Sequence, residues 1–248
     1  MTNELETQRT GRRALVTGGS VRVGRAISLT LGRAGYRVGV HYRTSQADAA
    51  STVRDLKRMG GQPLAFRADL SNPAEISQMF EEVEQRLGGI DLLVNSAAIF
   101  PHQEAADVTP EDWDRVFQIN ARAPFLCAQQ SARRMQGGSS IVNIADTGAD
   151  EAWPGYVPYV ATKAALVSLT KGLARAWAPD IRVNAVSPGP VLLPDAESSV
   201  GEQKRAADRT VLGRVGTPED VAQAVLYLDQ APYVTGEVLR VDGGHHLK

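Results

Sequence analysis

The chain has 248 residues, a formal net charge of −1 and one cysteine, Cys127. That length is enough for one large α/β core. The balanced charge gives no reason to expect nucleic acid or an anionic membrane as partner, and a lone cysteine excludes an internal disulfide, which suits a reducing cytoplasm.

The first residues, Met1–Thr10, are polar, lack the apolar stretch of a secretory signal and read with Gly11 as a flexible lead-in. Residues 12–248 are expected to form one domain, and no apolar run is long enough to span a bilayer. Strand-like runs follow at Ala14–Thr17, Arg37–His41, Leu64–Ala68, Leu92–Ser96, Ser140–Ala145, Arg182–Val186 and Glu237–Val241. Helical patterns lie between them at Val23–Ala34, Ala47–Met59, Pro73–Leu87, Pro110–Met135, Val157–Ala178 and Pro218–Asp229. This alternation predicts a doubly wound α/β fold, a parallel sheet with helices on both faces. Three helix starts carry a capping residue followed by proline, at Asn72-Pro73, Thr109-Pro110 and Thr217-Pro218. Pro124 lies inside the fourth helical pattern, so a kink is expected there and the Asn120 carbonyl loses its usual donor. A water held at that carbonyl would link Lys163 to solvent. The stretch Val191–Arg209 is polar with weak periodicity and reads as a substrate loop near residues 190–210.

The first strand runs into Gly18-Gly19-Ser20-Val21-Arg22-Val23-Gly24 and then a helix. Such a turn lets backbone N–H groups approach a pyrophosphate at a helix N-terminus. The second strand ends His41-Tyr42-Arg43-Thr44-Ser45 without the carboxylate that would hold a ribose 2′-hydroxyl. Arg22, Arg43 and Ser45 could instead converge on a 2′-phosphate, so NADPH/NADP+ is the expected cofactor. Were these ordinary surface arginines, NADH and NADPH would bind alike. Asp69 and Leu70 end the third strand where an adenine edge could be gripped, and Asn95 and Ala97 end the fourth where a backbone lies against the cofactor.

Tyr159-Val160-Ala161-Thr162-Lys163 places a tyrosine and a lysine on one helix face. A lysine ammonium and an oxidised nicotinamide beside the phenol would lower its pKa towards the range of a useful acid. Tyr156 is a candidate for the pocket wall. The four histidines show no ligand cluster, so no metal is expected; His245 and His246 read as solvated residues of the C-terminal tail, or as contacts to a neighbouring subunit.

Together, the Gly18–Gly24 turn, Asp69, Asn95-Ser96-Ala97, Asn120, Tyr159-x-x-x-Lys163, Ser187-Pro188-Gly189-Pro190-Val191 and Val241-Asp242-Gly243-Gly244 resemble the short-chain dehydrogenase/reductase family over nearly the whole chain. The resemblance implies a single-domain Rossmann fold with a seven-stranded parallel sheet, a homotetramer and hydride transfer from the nicotinamide. It implies Tyr159 as proton donor, Lys163 on the ribose, Asn120 holding a relay water, and Pro188, Gly189 and Val191 beside the cofactor.

Two departures from the common pattern resemble the pteridine reductase group: Arg22 replaces a glycine in the turn, and Asp146 replaces the serine ahead of the tyrosine. His41-Tyr42-x-x-Ser45, Phe100 and Gly155-Tyr156 extend the likeness, with Phe100 implied to stack the substrate against the nicotinamide. Ala98 and Ile99, where that group often has serines, depart from it.

The departure at Asp146 has chemical content. A carbonyl oxygen wants a donor, which serine supplies and an ionised carboxylate does not. A C=N substrate must gain a proton on nitrogen, which a buried carboxyl of raised pKa could give. The sequence therefore predicts an NADPH-dependent reductase acting on a C=N bond of a pterin or dihydrofolate-type small molecule. The alternative is a carbonyl reductase of 3-oxoacyl thioesters, ketones or aldehydes; a non-catalytic NADP sensor is a third reading. If Thr147 took the serine's place, Asp146 would be one layer removed from the substrate.

Overall fold

The computed structural model describes residues 11–191 and 200–248. Seven strands form one parallel sheet: β1 (Arg13–Thr17), β2 (Arg37–Tyr42), β3 (Leu64–Arg67), β4 (Leu92–Asn95), β5 (Ser139–Ile144), β6 (Ile181–Pro188) and β7 (Val238–Val241). Their order is β3-β2-β1-β4-β5-β6-β7. The order reverses between β1 and β4, which pair in register from Ala14–Leu92 to Thr17–Asn95. Ligands of such sheets sit in the crevice beyond the strand ends at that switch point.

The helices are α1 (Arg22–Arg33), α2 (Gln46–Arg58), α3 (Pro73–Leu87), α4 (Pro110–Phe117), α5 (Ala123–Ala132), the one-turn α6 (Gly148–Glu151), α7 (Val157–Trp177), α8 (Val200–Asp208) and α9 (Pro218–Gln230). They cover both faces, so the central strands read as continuous apolar runs rather than alternating ones. One core layer joins Val16, Val38 and Val94 to Ile27 of α1 and Val225 of α9. The other joins Leu15, Leu93 and Ile141 to Phe80 of α3, Cys127 of α5 and Ala174 of α7. Cys127 is fully buried, and burial pushes its thiol up to about 12, so it packs as a small apolar residue.

The three marked helix starts form as expected. Asn72 accepts from the Ala74 amide, while Thr109 with Asp112 and Thr217 with Asp220 build full capping boxes. Each such cap contributes about 1 kcal/mol.

Three boundaries differ. The Pro110–Met135 pattern is not one helix: Gln118–Arg122 forms a π turn between α4 and α5, and α5 stops at Ala132. Pro124 forces this local rewinding because it offers no N–H to the carbonyl four residues back. Strand β6 runs two residues past the expected end, to Pro188. Within the expected polar loop, Val200–Asp208 is helical. The expected flexible lead-in falls on residues 1–10, and part of the expected substrate loop on residues 192–199; both lie outside the described residues. Gly11 is tied down, its amide donating to Gly35 at 3.1 Å. Among the described residues no helix is long and apolar enough to cross a membrane.

Candidate active site

The cofactor side of the crevice is built from backbone. Gly18 follows β1 with φ +63°, and a Cβ there would stand 3.0 Å from the Cα of Ala97 beyond β4. A Cβ at Gly24 would collide with the Gly18 carbonyl. The turn is therefore folded as tightly as backbone allows. Thr17 Oγ1 accepts from the amides of Ser96 and Ala97 at 2.9 and 3.1 Å, and Ser28 Oγ donates to the carbonyls of Gly19 and Gly24. Helix α1 begins without a side-chain cap and without an acidic residue in its first turn. Its leading N–H groups and positive dipole end thus suit a pyrophosphate.

Arg22 opens α1 at φ +50°, a left-handed conformation that costs a non-glycine residue about 1 kcal/mol. Arg43 is exposed beyond β2, and the Ser45 hydroxyl makes no cap bond although Ser45 sits at the N-cap of α2. These groups fit a phosphate, and no carboxylate ends β2 to grip a bare ribose hydroxyl. Asp69 accepts from the amide and hydroxyl of Ser71 at 2.9 and 2.7 Å, which holds its carboxyl below the usual range. Leu70 is buried, while Val23 and Tyr42 are half-buried beside the turn and the β2 end. Pro188 ends β6; Gly189 and Val191 follow, with the Gly189 amide bonded to Val241.

At two residues expected beside the cofactor, the side chains turn inward. His41 is 2% exposed: its Nδ1 accepts from the Gly18 amide at 3.0 Å and its Nε2 faces the Ala68 carbonyl at 3.1 Å. Burial lowers its pKa to about 4, so the ring is neutral and Nε2 carries the proton. His41 therefore pins the glycine turn to the end of β3. Asn95 points into the sheet and donates to Pro124 O at 3.2 Å and Asn143 Oδ1 at 2.9 Å. Asn143 continues to Thr170 of α7 at 2.9 Å. This buried relay joins the π-turn region to the helix that carries Tyr159 and Lys163.

The reactive side is built from side chains. Tyr159 donates to Asp146 Oδ2 at 2.8 Å, and Asp146 Oδ1 accepts from the Gly148 amide at 2.8 Å. Thr147 is buried and its amide is bonded to Pro188, so Asp146 and not Thr147 faces the phenol. Burial raises the Asp146 carboxyl, opposed by the Gly148 amide and the Lys163 charge. Burial, with the Asp146 charge added, pushes the Tyr159 phenol well above its ordinary value. The lowering expected from the sequence includes an oxidised nicotinamide beside the phenol; the direction here is that of the protein's own residues. Lys163 does not counter it, since its Nζ donates to the Ile144 carbonyl at 2.7 Å and stands 5.5 Å from the phenol ring centroid. Burial lowers Lys163 to about 8, with Asp146 pulling it up.

Asn120 lies in the π turn as the kink predicts. Its side chain clamps the segment after β4, donating to Ile99 O at 2.8 Å and accepting from Ile99 N at 2.9 Å. That clamp presents Phe100. Phe100 stacks on Tyr156 at 4.1 Å and 7°, and stands edge-on to Tyr159 at 4.5 Å. Trp153 stands edge-on to Phe100 at 6.3 Å. Phe100 remains about half exposed, with an aromatic wall around Tyr159. The wall was only partly foreseen: Tyr156 and Phe100 were expected, but their mutual stacking has no local sequence signal.

The arrangement can present a neutral phenol and a buried carboxyl to a flat ligand lying over a crevice shaped for a dinucleotide. Comparisons agree with a dinucleotide-dependent oxidoreductase. The family model described as enoyl-(acyl carrier protein) reductase matches residues 21–246. A 3-oxoacyl-[acyl-carrier-protein] reductase FabG of Staphylococcus aureus is 35% identical over 240 residues, covering 94% of this chain and 98% of that protein. A dehydrogenase/reductase structure from Sinorhizobium meliloti superposes with TM-score 0.92 at 36% identity, covering 98% of this chain and 99% of that one. The angucycline C-6 ketoreductase LanV with bound NADP gives TM-score 0.91 at 32% identity, covering 96% and 97%.

Proposed function

The chain belongs to the short-chain dehydrogenase/reductase family of oxidoreductases and uses NADP(H), and within that family we propose a reductase of a C=N bond in a flat, nitrogen-rich ring of pterin or dihydrofolate type. The observation that supports this reading is the 2.8 Å hydrogen bond between Tyr159 and a buried carboxyl of raised pKa, Asp146. A protonated Asp146 can donate to a ring nitrogen, and an ionised one can accept from a ring N–H or amino group. The ionised form suits a heterocycle better than a carbonyl oxygen, whose developing negative charge it would repel, while the protonated form can serve either.

In this reading the bound nicotinamide supplies the hydride. Arg22, Arg43 and Ser45 hold the 2′-phosphate, with Gly18, Val23, Asp69, Leu70, Ala97, Pro188, Gly189 and Val191 lining the rest of the cofactor. Tyr159, neutral at physiological pH, stands as proton donor beside Asp146. Lys163 reaches the ribose by exchanging its Ile144 contact for a hydroxyl. Asn120 holds Phe100 where its ring can cover the substrate. The homotetramer and cytoplasmic setting expected from the sequence belong to the same proposal.

The second reading is carbonyl reduction, and the relatives favour it over the first: two of those reported above are named for 3-oxoacyl and ketone reduction, and none for pterins. In that case Asp146 must stay protonated to donate to the oxygen beside Tyr159.

NADPH oxidation with dihydrobiopterin, dihydrofolate, a 3-oxoacyl thioester and a ketone panel decides between them. Pterin turnover that falls in Asp146→Ser is expected. Turnover of ketones without any pterin activity overturns the first reading, and NADPH binding without turnover of any substrate overturns both.

A further inference from the structure

Glu151 is where the aromatic wall meets the C-terminal turn. It ends α6, and Ala152 then reverses the chain in a left-handed conformation, φ 53° and ψ 71°. After that reversal the indole Nε1 of Trp153 donates to Glu151 Oε2 at 2.9 Å. Both carboxylate oxygens lie 3.1 Å from Nε2 of His245, in the 3-10 turn His245–Leu247. Nδ1 of the same imidazole lies 2.8 Å from the carbonyl of Arg209, just beyond α8, and Arg209 Nη2 stands 3.3 Å from Nε2. The His245 side chain is 9% exposed, so the ring is enclosed by these contacts and is not the solvated tail residue the sequence suggests. Trp153 packs edge-on against Phe100 and Tyr156 and lies over Gly148, where a Cβ would stand 3.1 Å from the indole.

We propose that Glu151 and His245 form a latch that fixes the Trp153 wall against the C-terminal turn and thereby sets how substrate fits over Tyr159. Both are positioning residues; neither reaches the Tyr159–Asp146 pair through a hydrogen bond. The Asn120 clamp and the backbone bond from Tyr156 to Trp153 hold the neighbouring segments, but the hydrogen bond of the indole itself ends on this carboxylate. Glu151 also lies in the electrostatic field of the reaction centre, since its charge is among the causes that raise the Asp146 carboxyl. The inference rests on the reading that substrate reacts at Tyr159, but not on which double bond is reduced.

The test uses Glu151→Ala, His245→Ala, their combination and Glu151→Gln in the full-length enzyme, with any substrate the wild type turns over. Each alanine variant should raise substrate KM about five- to tenfold while kcat and the NADPH KM stay within about twofold. The double variant should be no worse than the worse single one, because both break the same contact. Glu151→Gln keeps an acceptor for the indole and should stay near wild type. The emission of Trp153, isolated by subtracting Trp153→Phe, should shift in both alanine variants and not in Glu151→Gln. Unchanged substrate KM, additive effects, or an equal rise in the NADPH KM overturns the latch. Should no substrate be found, the emission arm decides alone: no shift in either alanine variant overturns it. Where an alanine variant does not fold, Glu151→Lys, which reverses the charge facing His245, takes its place under the same criteria.

Discussion

The two halves of the crevice are held in different ways. On the cofactor side the fixed points are backbone groups: the Gly18 amide on His41, the Ser96 and Ala97 amides on Thr17, and the Gly19 and Gly24 carbonyls on Ser28. On the substrate side they are side chains drawn from separate segments, with Tyr159 on Asp146, Phe100 on Tyr156 and Trp153 on Glu151. A backbone cradle binds the same ligand whatever side chains surround it, so its shape indicates a dinucleotide. A side-chain constellation changes its chemistry with one residue, so the substrate half is where related folds diverge in reaction.

Tyr159→Phe should break the comparison most sharply, because it removes a proton without touching the cradle. We expect reduction to fall by about a thousandfold or more, the scale of a lost general acid, with NADPH affinity unchanged by fluorescence titration. A nearly active variant would remove Tyr159 from the acid role. Arg22→Gly probes the other half. It relieves a left-handed arginine and removes a charged donor, so NADPH should bind roughly 10- to 100-fold more weakly while the protein is no less stable to heat. NADH binding should stay the same; an equal loss for both cofactors would mean that Arg22 does not face the 2′-phosphate.

His41→Ala sharpens the distinction between touching a ligand and shaping its cradle. It leaves the Gly18 amide and the Ala68 carbonyl without their partner, a cost of about 1–3 kcal/mol in urea unfolding. Because the turn would loosen as a whole, NADH and NADPH binding should weaken together. A loss confined to NADPH would return His41 to the phosphate site.

Much of this was legible in the sequence where it was local. The strands, the two Thr-Pro capping boxes and the Asn72 cap follow from short patterns, and the Asp146–Tyr159 pairing from the resemblance, which sets a serine at that distance before the tyrosine. The kink at Asn120 follows from Pro124, although its π form depends on packing against the Ile99 segment. The inward turn of the His41 ring is not legible because a histidine ending a buried strand looks the same whether it faces ligand or turn; only the fold shows both ring nitrogens occupied. Helix α8 was missed because its sequence is polar and weakly periodic. The direction in which the protein's own residues push the Tyr159 phenol is not legible in the sequence, because it depends on how deeply Asp146 and the phenol are buried and on where Lys163 points, and none of these is local. Nothing in the sequence pairs Glu151 with His245, which meet only once β7 brings the chain end to the rim of the site.

The smallest effect at a pH where Asp146 is protonated, and the most informative, should come from Asp146→Asn. Burial raises the wild-type carboxyl, so it holds its proton to a higher pH than a free aspartate. Below that raised value Asp146 is neutral and can donate. As pH rises through it, the donor is lost and a negative charge forms 2.8 Å from the Tyr159 oxygen, pushing the phenol further from acidity. Wild-type kcat/KM for a C=N substrate should therefore fall with rising pH. Asparagine keeps an N–H donor and cannot ionise, so the variant should lose this limb of the profile while differing from wild type by only about a few-fold where Asp146 is protonated. The same linkage acts on folding. A carboxyl whose folded pKa is raised binds its proton more tightly in the native state, so its stabilising contribution is present below the unfolded value and is lost as pH rises through the folded one. Asp146→Asn should flatten the thermal stability profile in that direction. An unaltered rate limb in the variant would mean that the proton comes from Tyr159 alone and that Asp146 only orients the ring, which would leave the substrate half with a single titrating donor and bring the carbonyl reading forward.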